Sequence, residues 1–183
     1  MRIIAGQYRS RPLTAPKGMT TRPTLDQTRE ALFNILQGRT QGALFLDLYA
    51  GSGAVALEAV SRGAAFAVLN DQSRTACACI RSNIERLGCA DRTRLLEMPD
   101  QRAVRLLTEE RAVFDLIYLD PPYRMDLTPV LAAVMQGGLL ASAGMIIAEH
   151  DAKTEPVPPA GLYLARQKVY RDTALSFFAE EHL

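Results

Sequence analysis

From Ala43 onward the chain alternates short apolar runs with stretches of helical periodicity, and this alternation narrows the possible fold more than any other feature. The apolar runs fall at 44–48, 65–69, 93–97, 114–119 and 145–149, with helical segments at 55–61, 73–87, 101–110 and 127–136 between them. Strands separated by helix-length segments are joined by crossovers, and crossovers give a parallel sheet with helices on both faces. Two further runs, 162–170 and 173–179, are separated too briefly for a crossover and read as an antiparallel hairpin closing one sheet edge. The expected architecture is α/β, a doubly wound and mostly parallel sheet of seven strands.

A chain of 183 residues suits one such domain plus a short appendage, and a domain of this length buries roughly 70% of its unfolded surface. The appendage lies at the N-terminus. Residues 1–24 are rich in Arg, Thr, Pro and Gly and read as a hairpin or an extended arm. Thr24-Leu25-Asp26-Gln27 has the form of a capping box, opening a helix with Leu25, Leu32, Ile35 and Leu36 on one face. The division expected is therefore 1–40 for the arm and its helix, and 41–183 for the sheet domain.

Net charge is only +1, which by itself points to no polyanionic partner. Its distribution is more informative: residues 1–24 carry Arg2, Arg9, Arg11, Lys17 and Arg22 and no carboxylate. With Arg29 on the helix that follows, these are candidate phosphate contacts, a solvated basic face being the plainer alternative. Cys77, Cys79 and Cys89 have no zinc-site spacing and read as free thiols of a reducing compartment. No signal peptide is evident in the opening residues, and the longest apolar stretch, 137–148, is too short and interrupted to span a bilayer. A cytoplasmic protein without a membrane or metal partner is expected.

Two motifs carry chemistry. Asp47-Leu48-Tyr49-Ala50-Gly51-Ser52-Gly53 follows the first strand and opens a helix, so its glycines permit a sharp turn and the close approach of a ligand to backbone. Asp71, at the end of the second strand, is placed to accept both hydrogen bonds of a ribose diol. Alone, this pairing also satisfies the dinucleotide fingerprint of a nicotinamide enzyme. Asp120-Pro121-Pro122-Tyr123, at the end of the fourth strand, decides against hydride chemistry. The lone pair of an exocyclic base amine is delocalised into its ring. Asp120 and the Pro121 carbonyl can accept the two amine N–H bonds and favour a pyramidal nitrogen facing a methyl donor. The prolines fix the loop without adding backbone donors, and Tyr123 offers a face on which an extruded base can stack.

Together the two motifs resemble class I, Rossmann-like methyltransferases of the amino-methylating Asp/Asn-Pro-Pro-Tyr type. Arg2-Ile3-Ile4-Ala5-Gly6, Ala15-Pro16-Lys17-Gly18, Thr21-Arg22-Pro23-Thr24, Arg29-Glu30-Ala31-Leu32-Phe33-Asn34-Ile35-Leu36 and Asp172-Thr173-Ala174-Leu175-Ser176-Phe177 extend the likeness from end to end, and more narrowly to the RsmD family. The resemblance implies methylation of guanine N2 in small-subunit (16S) ribosomal RNA, within an assembling 30S particle, using S-adenosylmethionine. It implies Asp47, Ala50, Gly51 and Gly53 at the methionine end of the cofactor, Asp71 at its ribose, Asp100 with Gln101 near its adenine, and Asp120, Pro121, Pro122 and Tyr123 at the target base. Asn70, Asp71, Met98-Pro99 and Arg171 depart from the family's usual residues. Two other readings are carried forward. One is an N6-adenine methyltransferase acting on DNA or RNA, for which the chain leaves little room for a target-recognition domain. The other is a non-catalytic RNA-binding assembly factor, which the intact Gly loop, Asp71 and Asp120 oppose.

Overall fold

The computed structural model describes residues 1–16, 23–122, 125–154 and 156–181. Its strands are β1 (Leu44–Asp47), β2 (Phe66–Asn70), β3 (Thr93–Leu96), β4 (Phe114–Leu119), β5 (Leu140–Asp151), β6 (Leu162–Tyr170) and β7 (Thr173–Glu180). Its helices are α1 (Pro23–Ile35), α2 (Ala54–Ser61), α3 (Arg74–Leu87), α4 (Asp100–Glu109) and α5 (Thr128–Gln136). The strands form one seven-stranded sheet in the order β3-β2-β1-β4-β5-β7-β6. The first five run parallel, and β7 is antiparallel to both β5 and β6. The expected α/β sheet and terminal hairpin are present, with β7 rather than β6 joined to β5.

Chain order reverses between β1 and β4, which are direct neighbours with Asp47 opposite Tyr118. Their following loops therefore emerge side by side at the carboxyl edge, the crevice where such sheets bind ligands. The inner strands β1, β2 and β4 are largely apolar because both faces are covered. Phe45 packs with Leu32, Leu57 and Ile80 on the face of α1, α2 and α3. Its neighbour Leu46 points the other way, to Val104, Leu107, Leu131 and Val134 of α4 and α5. No helix among the described residues is long and apolar enough to cross a membrane, and all three cysteines are free.

Residues 1–16 form a hairpin, not an extended arm. Arg2 bridges Pro12, and Ile3 N–H donates to the Arg11 carbonyl at 3.0 Å. Ile3, Tyr8 and Leu13 are buried in the same cluster as α1, α2 and α3. Glu58 on α2, 0% exposed, accepts the Ile4 and Ala5 N–H groups at 2.8 and 2.9 Å and pairs with Arg62 at 2.7 Å. Gly6 has φ 82°, and a Cβ there would lie 1.9 Å from the Ser61 carbonyl oxygen, so only glycine lets the hairpin lie against α2. The helix expected to be capped by Thr24, and so to begin at Leu25, begins two residues earlier, at Pro23, a favoured first helical residue. Thr24 thus lies inside the first turn, and the capping-box reading is corrected.

The turn between β6 and β7 places Arg171 at φ 56°. A side chain in the left-handed region costs roughly 1–2 kcal/mol, so part of that cost is recoverable. Arg171→Gly is expected to raise unfolding stability by about 1 kcal/mol, seen as a higher urea midpoint at unchanged slope.

Candidate active site

The loop after β1 is clipped to the strands on either side. Leu48 N–H donates to the Tyr118 carbonyl at 3.1 Å, and Ala50 N–H to the Asn70 carbonyl at 2.8 Å. Gly51 N–H donates to Asp71 Oδ2 at 2.8 Å, while Asp71 Oδ1 accepts from Ser73 N–H at 2.8 Å. Each carboxylate oxygen keeps a second lone pair, so Asp71 can still receive hydroxyl donors. A Cβ on Gly53, at φ 77°, would stand 3.0 Å from Leu69 Cδ2, which explains glycine where α2 packs on the sheet. Asp71 and Gly51 line a cavity of about 230 Å³ that also touches Tyr49, Asn70, Met98 and Asp100. Asp100 opens α4, and its Oδ2 accepts the Tyr49 hydroxyl at 2.7 Å. Burial first, then the Asp100 carboxylate, hold the Tyr49 hydroxyl above its ordinary range. Gln101 is exposed and absent from this lining.

A second cavity, of about 200 Å³, opens across the same loop and is lined by Asp47, Ala50, Gly51, Tyr118, Asp120 and Glu149, with Met1, Thr28 and Arg29 contributing a wall. Asp47 is 1% exposed. Burial, then the charge of Asp71, push its carboxyl up to about 7 against hydrogen bonds from the backbone of Ala56 and Tyr49. Its Oδ1 has no hydrogen-bond partner among the described residues. A buried acceptor left open beside a cavity suits a cationic donor, as an ammonium group would supply.

Asp120 borders both of these cavities and a third of about 100 Å³. It follows β4 directly, and because Leu119 pairs with Ala148, Asp120 lies beside Glu149 of the adjacent β5. The Tyr118 hydroxyl donates to Glu149 Oε2. Asp120 is accessible at the mouth of the cleft, but the protein crowded around it and then the charges of Glu149 and Asp47 drive its carboxyl well above the usual carboxylate range. Burial raises Glu149 as well, opposed by the Tyr118 hydroxyl. Pro121 and Pro122 also border the third cavity, and the Pro122 carbonyl accepts Met125 N–H at 3.1 Å. Tyr123 lies outside the described residues.

Residues 1–179 match the family model described as Conserved hypothetical protein 95. The chain belongs to the RsmD family. It is 34% identical over 183 residues to Ribosomal RNA small subunit methyltransferase D of Escherichia coli K12, covering 99% of this chain and 90% of that one. Among solved structures, Escherichia coli yhhF superposes with a TM-score of 0.87 at 33% identity, covering 99% of this chain and 98% of the other. A hypothetical protein of Thermus thermophilus does so at 0.84 and 30%, covering 99% of each. The fold is that of Rossmann-like methyltransferases.

In this RsmD-family chain the predicted basic residues that are described, Arg9, Arg11 and Arg29, do not share one surface. Arg9 and Arg11 are exposed on the hairpin, with Arg11 reaching the Arg86 carbonyl at 3.3 Å. Lys17 and Arg22 lie outside the described residues. Arg29 is corrected: it is 5% exposed, paired with Asp26 at 3.1 Å and Glu58 at 3.7 Å, and donates to the Arg2 carbonyl at 2.6 Å. A guanidinium so held is structural and is not offered to a phosphate. His150 bonds Ser176 Oγ and the Asp151 carbonyl, each at 2.8 Å, consistent with a structural residue. Sequence reasoning passed over Tyr49, Tyr118 and Glu149. A carboxylate closing the apolar run Met145-Ile146-Ile147-Ala148 was the available signal.

Proposed function

We propose that this chain transfers a methyl group from S-adenosylmethionine to the exocyclic N2 amine of a guanine in small-subunit ribosomal RNA. The observation that carries the reading is the position of Asp120, which borders all three cavities and so stands where a cofactor from one side meets a base from the other. The cavity chemistry suits the cofactor: Asp71 for ribose hydroxyls, Asp100 for the adenine amine, and the open Oδ1 of Asp47 for the ammonium. When bound, the cofactor's sulfonium supplies an electrophilic methyl group. Asp120 and the Pro121 carbonyl accept the amine hydrogens and aim the nitrogen lone pair, Tyr123 stacks on the extruded base, and the proton lost after transfer leaves to solvent. Rate acceleration comes from positioning and exclusion of water, with no metal needed. The hairpin and α1, within 1–40, face the RNA with Arg9 and Arg11, joined by Lys17 and Arg22, while 41–183 holds the chemistry. The substrate is RNA of an assembling 30S particle in the cytoplasm. Its test is methyl incorporation from labelled cofactor into ribosomal subunits lacking their modifications. Label is expected in 16S RNA; label confined to other RNA or DNA would overturn the assignment.

Asp71→Ala is expected to weaken cofactor binding by at least about tenfold, since hydrogen bonds to a charged group contribute roughly 1.5–3 kcal/mol each. It also frees the Gly51 and Ser73 N–H groups. The thermal midpoint should therefore fall as well, and calorimetric titration with a parallel melt checks both.

Asp47 gives a pH dependence of definite sign. Its raised pKa means that the free folded protein holds a proton the unfolded chain has lost, so its contribution makes stability fall between about pH 4 and about pH 7. An ammonium-bearing ligand prefers the ionised form. Cofactor affinity is therefore expected to rise from pH 6 to 8, and Asp47→Asn should flatten that rise in calorimetric titrations.

A further inference from the structure

We propose that Glu149 determines which base the site accepts, its Oε1 receiving the ring N1–H of a guanine whose N2 amine lies on Asp120. The inference rests on the function proposed above and adds a residue that reads the base. Glu149 is the neighbour of Asp120 across the β4–β5 pairing, and the two share the linings of the 200 Å³ and 100 Å³ cavities. The Tyr118 hydroxyl, fixed by its strand, holds Oε2, and no hydrogen bond to Oε1 is made among the described residues. One carboxylate oxygen is thus anchored while the other is left for a ligand.

The chemistry of the two bases distinguishes them at this point. On the edge of guanine, the N2 amine and the adjacent ring N1–H are both donors, which match two carboxylates side by side. On adenine, the atom beside the amine is a ring nitrogen with a lone pair. Such a base, with its amine on Asp120, would set that lone pair against Glu149 and leave both groups without a partner. The site also favours a donor-rich ligand electrostatically. Asp47, Asp120 and Glu149 surround one cavity, whose lining also includes Met1 and Arg29, and the Arg29 guanidinium is already held by Asp26 and Glu58. Crowding holds Asp120 and Glu149 above the ordinary carboxylate range in the free protein, and the charge of Glu149 raises Asp120 further. Two N–H donors presented together would let both ionise.

The test uses a purine that keeps the amine and lacks the ring hydrogen. The methylated position is first mapped with the wild-type protein on unmodified small-subunit RNA. That guanine is then replaced by 2-aminopurine through ligation, and kcat/KM is compared on the two RNAs. Wild type should prefer guanine by about tenfold to a hundredfold, the range expected for one hydrogen bond to a charged group. The double variant Tyr118→Phe/Glu149→Leu removes the reader together with the hydroxyl it would otherwise orphan. It should lose a similar factor on guanine and none on 2-aminopurine, lowering the guanine preference by that factor. Loss of the guanine O6 in 2-aminopurine affects wild type and variant alike, so the change in ratio isolates Glu149. Equal rates of wild type on both RNAs, which need no variant to fold, would overturn the proposal, as would a wild-type ratio persisting in the double variant. Absence of N2-methylguanosine from the wild-type reaction on guanine RNA would instead remove the function on which the proposal rests.

Discussion

Asp120→Ala is expected to slow single-turnover methyl transfer by at least about a hundredfold at saturating cofactor, the scale on which small misplacement of reacting atoms acts. Cofactor affinity should remain within about threefold. The variant removes the acceptor that orients the amine and leaves Asp47, Asp71 and Asp100, the groups assigned to the cofactor, in place. Loss of fold would not account for the effect, because Asp120 stands among like charges. Its removal relieves repulsion with Glu149 and Asp47, and the free protein should melt no lower, and at alkaline pH higher, than wild type. Rapid-quench assays on 16S RNA, with calorimetric titration of the cofactor, separate the two quantities. A near-normal rate would mean that the amine is positioned by other groups.

Glu58→Ala should be the most destabilising of the substitutions considered, by about 3–5 kcal/mol, the scale for removing one partner of a buried ion pair. Glu58 holds two hairpin N–H groups, Arg62 and the buried guanidinium of Arg29 together. Its removal leaves Arg29 without its deeper carboxylate. The hairpin should loosen from α2 before the sheet unfolds, so hydrogen exchange at Ile4 and Ala5 is expected to accelerate more than exchange in β1 and β4. Because Met1 and Thr28 wall the 200 Å³ cavity, cofactor affinity should weaken too, although no residue assigned to the cofactor has changed.

The sheet was legible in the sequence because strands buried on both faces must be apolar throughout, and crossover segments must be long enough to be helices. The Gly51 loop and the Asp120 loop were legible because sharp turns and donor-free carbonyls call for particular residues at fixed spacing. What was not legible depended on contacts remote in the chain. Arg29 belongs to a basic cluster in sequence and only a folded α2 reveals Glu58 beside it, although a lone glutamate in Ala54-Val55-Ala56-Leu57-Glu58-Ala59-Val60 was a hint. Ile3, Tyr8 and Leu13 fall at five-residue intervals, matching neither helical nor strand period, so the hairpin's buried face carried no pattern. Tyr118 and Glu149 meet across two parallel strands, a pairing set by sheet register.

The central claim is the identity of the methylated atom, and nucleoside analysis reads it directly. Unmodified small ribosomal subunits are incubated with the protein and S-adenosylmethionine carrying a heavy methyl group. The RNA is then digested to nucleosides and separated by mass. Asp120→Ala serves as the matched control. N2-methylguanosine bearing the heavy methyl, formed by wild type and at least about a hundredfold slower with the variant, is the result expected from the geometry of Asp120 and its neighbours. Heavy methyl recovered as N6-methyladenosine, or no labelled nucleoside from wild type at saturating cofactor, would contradict it.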